Sequence, residues 1–127
     1  MNLEKVVFAF FIVFAATLNF GFFVGDIDNP DHHNIYELFA AIVVNMIATV
    51  LKFGDRTQIG AVHLSTSLVA DLQLIAAAVT WTLAVHVTGQ GLTPSLTVSI
   101  VSLAGGALLA NLISVTMLIV ETVMMRR

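Results

Sequence analysis

Cysteine is absent from the 127 residues, which excludes disulfides, thiolate metal centres and cysteine nucleophiles. Charge is scarce too: 10% of the residues are Asp, Glu, Lys or Arg, and the formal net charge is −3. With no basic run and no low-complexity tract, nucleic acid is not an expected partner. Proline occurs only at Pro30 and Pro94, outside the interior of every long apolar stretch. Soluble-domain composition is missing altogether, since 58% of the residues are hydrophobic and mean hydropathy is +0.98. Such a chain is an integral membrane protein by composition.

Four apolar runs are present, at 6–24, 36–53, 60–87 and 96–125. A helix rises about 1.5 Å per residue, so some 20 residues cross a bilayer core of about 30 Å. The first run competes with a signal peptide, with Phe14-Ala15-Ala16 as a weak cleavage-like site. Because it continues apolar through Phe20, Phe22 and Phe23, a retained span is expected. The last run is longer than a bilayer requires, so it must tilt or protrude. Between the runs lie links rich in turn residues, with Asn29-Pro30, Gly54 and Gly89-Gln90-Gly91 as their punctuation. The link after Val87 is too short for a pore helix plus a re-entrant filter. Asp31 or Asn34 is the expected cap of the second span, and Asp55 or Thr57 that of the third. The predicted fold class is all-α: an integral membrane four-transmembrane-helix bundle, one domain over residues 1–127.

Orientation follows from the basic residues. With four spans, one side receives both termini and the 54–59 link. Lys5, Lys52, Arg56, Arg126 and Arg127 all fall on that side. The positive-inside rule makes it cytoplasmic, in a multi-pass protein of the cell's inner (plasma) membrane. The opposite side carries Asp26, Asp28, Asp31 and Glu37.

Asp71 lies near the middle of the third run. An ionised carboxylate there costs several kcal/mol unless partners, water or a proton relieve it. Ser67 shares its helical face. Asn45 and Asn111 fall near the midpoints of the second and fourth runs, each on a stripe of small or polar residues, so the three are expected at one depth. The expected function is passage of a cation or proton by an oligomeric channel or transporter. Asp71, Asn45, Asn111 and Ser67 would line the pathway, expected between subunits because four short helices enclose little volume. The competing expectation is an accessory or assembly subunit of a larger membrane complex, in which the same residues only fix helix pairing. No enzymatic activity is expected.

The acidic loop is a second candidate. Asp26, Asp28, Asp31 and Glu37 would collect cations at the outer mouth. Asp26, Asp28, Asp31, His32 and His33 are the candidate metal ligands, although Pro30 and Asp31 break the EF-hand pattern where its geometry is strictest. No cofactor is expected beyond a cation at this loop or at Asp71. The expected partners are membrane lipid, further copies of the chain and a larger membrane protein. His63 and His86, near the two ends of the third run, could join Asp71 in a proton relay only through water. Ser102, Gly106 and Ala110 form a small-xxx-small row for helix packing, with Gly105-Gly106 as a potential flexible point. Glu121, near the inner end, is expected to snorkel or to pair with Arg126 or Lys52.

Overall fold

The computed structural model describes residues 3–125, so Arg126 and Arg127 lie outside the described residues. The long helices are α1 (Leu3–Phe23), α2 (Ile35–Lys52), α3 (Gln58–Thr82, continued by a π-turn over Leu83–Val87) and α4 (Pro94–Met125). Each is long and apolar enough to cross a membrane.

Side-chain caps set the helix starts. Asn34 accepts from the Tyr36 N–H at 2.9 Å, Thr57 from that of Gly60 at 3.0 Å, and Thr93 from that of Leu96 at 3.1 Å. Pro94 stands at the first position of α4, where its missing N–H is not needed. After α1 the chain turns at Gly25, whose φ of 112° is open to glycine and where a Cβ would come within 2.7 Å of the His32 side chain. A short 3-10 turn, Pro30–His32, leads into α2.

The helices form a square. α1 packs against α2 and α4, and α3 packs against the same two. The start of α1 and the end of α4 therefore lie at one end of the bundle, the terminal end, where Lys5 Nζ meets Glu121 Oε2 at 2.7 Å. The start of α1 lies beside the end of α4, so Lys5 pairs with Glu121, while Lys52 pairs with Asp55; the expected partner Arg126 lies outside the described residues.

The half of the interior far from the termini is apolar, with Phe22, Leu38, Leu74, Ile100 and Val101 packed among alanines. A smaller apolar cluster, Phe8, Ile12 and Ala48, lies nearer the termini. The outward faces are also apolar; Leu72 is 70% exposed and Leu109 61%. Helices that are apolar outside and carry their polar residues inside suit lipid surroundings. Gly105 and Gly106 serve two neighbours: a Cβ at 105 would strike the Phe23 ring, and one at 106 the Gln73 amide. α4 runs through both glycines unbroken, and the pair makes room for α1 and α3. Ser102 is exposed, so the row that starts with it is only partly an interface within the chain.

Candidate functional site

His63, Ser67 and Asp71 follow one another at four-residue steps, which stacks them on one face of α3. All three are buried, Asp71 being 9% exposed. α2 brings up Asn45 and Thr49, again one turn apart. Asn45 Nδ2 donates to Asp71 Oδ1 at 2.6 Å and to the Ser67 carbonyl at 3.2 Å, which uses both amide hydrogens. Thr49 Oγ1 lies 2.6 Å from Asp71 Oδ2 and 3.0 Å from the Asn45 carbonyl.

A hydroxyl has one hydrogen, and here two acceptors are within its reach. If Asp71 is ionised, Thr49 donates to Oδ2. If Asp71 carries a proton, its O–H donates to Thr49 Oγ1, and Thr49 turns its own hydrogen to the Asn45 carbonyl. Either form is satisfied without moving a heavy atom. The ion pairs among the described residues are Lys5–Glu121, His32–Asp26 and Lys52–Asp55, and none of them includes Asp71.

The polar surroundings extend along the bundle axis. His63 Nδ1 and Ser114 Oγ are 2.6 Å apart. His63 Nε2, Ser67 Oγ, Asn45 Oδ1 and both side-chain polar atoms of Asn19 and Asn111 are buried and have no hydrogen-bond partner among the described residues. Buried polar atoms of this kind are normally satisfied by ordered water. All four helices contribute. Counting about 1.5 Å per residue from the His63–Ser114 contact, Asn111 stands some 4–5 Å further from the termini and Asp71 some 12 Å. Counted from Phe8, which packs on His63, Asn19 stands beyond Asp71 by a similar reckoning.

The structure thus brings Asp71, Asn45 and Ser67 together. Asn111 is displaced by more than a helical turn and makes no contact with Asp71 that would complete a three-helix set at one depth. All these side chains are buried within one chain. His63 is fully buried rather than at a wet interface, because Phe8 and Ser114 cover it. His86 is exposed beside Trp81 in the π-turn, with ring centroids 5.2 Å apart, and is not part of the column. Thr49, Ser114 and Asn19 were not singled out in the sequence as site residues. Thr49 had a signal, its four-residue spacing from Asn45; the others depend on which helices adjoin.

The outer loop is arranged differently from the expected metal set. Asp26, Asp28, Asp31 and His32 are exposed. His32 Nδ1 accepts from the Asp26 N–H at 2.9 Å, and Asn29 accepts from the Asp31 N–H at 3.0 Å. His33 turns inward, its ring nitrogens 2.5 Å from the Phe22 carbonyl and 2.7 Å from the Asp26 carbonyl. Glu37 lies apart, partly buried against Gly21. No group of three His, Asp or Glu side chains that could hold a metal ion exists among the described residues. In this arrangement local backbone bonds hold the loop around Asp26, Asp28, Asp31 and His32, and the His33 ring faces two carbonyls.

At the opposite end, Asp55 accepts from the Thr57 hydroxyl at 2.6 Å and the Thr57 N–H at 3.0 Å, and Lys52 Nζ approaches it to 3.3 Å. The Thr57 bonds, with help from Lys52, hold its carboxyl down at about 2 from an ordinary 3.8. Beside it opens a cavity of about 690 Å³ whose wall includes Lys5, Phe8, Lys52, Asp55 and Arg56.

One family of unknown function, DUF6394, matches residues 32–122. The chain belongs to the DUF6394 family. The matched region carries Asn45, Thr49, His63, Ser67, Asp71, Asn111 and Ser114. No curated protein and no solved structure matches the chain.

Proposed function

We propose that this DUF6394 protein passes protons across the cell's inner (plasma) membrane, as a channel or proton-coupled transporter, with Asp71 as the proton-binding group. The observation that carries the reading is a carboxyl enclosed by helices, without a basic partner among the described residues, whose hydrogen bonds fit it protonated or ionised. At the bilayer centre an ionised carboxylate costs roughly 2.5–3.5 kcal/mol on the gentlest scale. A bound proton removes that cost. An interhelical clamp contributes only about 0.6 kcal/mol per bond on average, a weak reason to keep an acid there.

Protons fit better than larger cations. The polar atoms beyond Asp71 are fully enclosed, and a proton needs only a file of hydrogen bonds, whereas a hydrated ion needs a wide path. Lys5, Lys52 and Arg56 gather at the end that carries the termini, which supports placing that end in the cytoplasm. The Asp26, Asp28 and Asp31 loop then faces outward and raises the local cation concentration there. Because the column is interior to one chain, each copy in a homo-oligomer would carry its own path. In the conformation described, Phe8 closes the column at one end and the apolar cluster around Leu38 and Leu74 closes it at the other, so passage requires movement.

Flux into liposomes tests this. A pH gradient should drive proton uptake by the wild type, with Na⁺ and K⁺ gradients driving none, and folded Asp71→Asn should lose it. Absence of flux for every ion would sink the proposal in favour of an accessory subunit, in which Asn45 and Thr49 merely clamp α2 to α3 through Asp71.

A further inference from the structure

Four groups stand in sequence at the end of the bundle that carries the termini. The 690 Å³ cavity reaches Phe8, which forms part of its wall. On the cavity side Lys52 Nζ sits 4.3 Å from the centre of the Phe8 ring. The same ring meets His63 edge to face, with centroids 5.1 Å apart and planes at 67°. Behind it His63 presents a buried, unpartnered Nε2, while Nδ1 is engaged by Ser114. From there the four-residue ladder leads through Ser67 to Asp71. Phe8 therefore touches both Lys52, in the wall of a cavity lined by charged groups, and the first titratable side chain of the interior column, which does not line that cavity.

We propose that His63 is a second proton station and that Phe8 is the plug between it and the cavity. This rests on the proton-passage reading and adds the route by which Asp71 is reached. With Phe8 displaced, His63 Nε2 takes a proton from hydronium in the cavity, which leaves water and an imidazolium. The imidazolium then releases a proton along water hydrogen-bonded to Ser67 and Asn111, and the Asp71 carboxylate accepts it. One proton has moved inward, His63 is neutral again, and no electrons have changed hands. The charged groups that act on His63 from the surrounding elements are Lys52, Glu121, Asp55 and Lys5. Lys52 is itself the cation resting on the plug. Lys52 and Asp55 both line the cavity, so an anion drawn there would compete for the contacts of Lys52 with Asp55 and with the Phe8 ring.

The absence of native cysteine permits a test that does not depend on flux. A single His63→Cys substitution is labelled in vesicles with a small water-borne thiol reagent, with Phe8 in place and in Phe8→Ala. The thiol should be protected by Phe8 and react many-fold faster without it. Phe8→Leu, which shortens the plug but keeps the site apolar, should give an intermediate rate and serves where Phe8→Ala does not fold. Equal labelling rates in all folded variants would overturn the plug, whether or not protons flow. In the flux assay, His63→Gln should lower proton uptake by more than about tenfold, in keeping with loss of a proton-transfer group. Phe8→Ala should raise uptake, and Asp71→Asn should abolish the rise. Unchanged flux in His63→Gln beside a dead Asp71→Asn would overturn the station while leaving the role of Asp71 intact.

Discussion

Thr49 Oγ1 has one hydrogen and two oxygens within reach, Asp71 Oδ2 at 2.6 Å and the Asn45 carbonyl at 3.0 Å. Thr49→Val keeps the shape and removes both options, leaving Asp71 Oδ2 without a donor. Loss of such a bond costs about 1–3 kcal/mol, so thermal unfolding should occur at lower temperature and proton uptake should fall, while Thr49→Ser should restore both. Equal melting and equal flux in the Val variant would contradict the role assigned to the hydroxyl. Asp55 offers a separate test at this scale, one concerned with stability alone. Its carboxyl is held at about 2 in the fold against an ordinary 3.8. Its contribution is therefore complete above about pH 4 and disappears as pH falls through 2. Melting temperatures measured from pH 5 downward should show a loss in the wild type that is reduced in Asp55→Asn. Asp71 was legible from its placement in an apolar run. Thr49 was marked only by its four-residue spacing from Asn45, a weak signal because a threonine in a membrane helix most often bonds its own backbone, as Thr80, Thr82 and Thr116 do here.

At the scale of elements, hydropathy located the helices closely: 36–53 against Ile35–Lys52, and 96–125 against Pro94–Met125. Length and apolarity place those bounds to within two residues, and both are written in the sequence. The capping residues Asn34 and Thr57 were likewise legible, since their chemistry is local. The π-turn at Leu83–Val87 carries no such local signal. Nor do cross-helix contacts: Lys5 with Glu121, or Phe8 with His63, depend on which ends adjoin. The start of α3 shows how local chemistry can override propensity. Alanine is the better helix former, and Gly60→Ala would ordinarily gain up to about 1 kcal/mol. Here a Cβ would lie 2.2–2.5 Å from three atoms of the Asp55 carboxyl. That carboxyl is fixed by Thr57 and Lys52, so it can yield only by breaking the cap. Gly60→Ala should therefore lower stability, by about 1–2 kcal/mol if the cap is lost. A raised melting temperature would show that the loop repacks freely.

The whole molecule is a bundle with an apolar exterior and a column of incompletely partnered polar side chains inside, closed at both ends in the conformation described. A protein selected only for stability would not keep that column. Asn111 illustrates the conflict: it is fully buried and neither of its amide atoms has a partner among the described residues. Replacing a buried unpartnered polar group by an apolar one of similar volume is neutral or stabilising. Asn111→Leu should therefore melt at the same or higher temperature, yet pass protons more slowly, because water in the column loses a partner. A variant that unfolds readily would show that Asn111 is a structural bond.

The most direct measurement is infrared difference spectroscopy of the protein in membranes as the pH of the medium is changed, with deuterium exchange and Asp71→Asn alongside. The account predicts a protonated-carboxyl band that responds to pH, shifts in deuterium oxide and is missing from Asp71→Asn. Identical pH-dependent spectra for the two proteins would mean that Asp71 exchanges no proton with the medium, and would contradict the account at its centre.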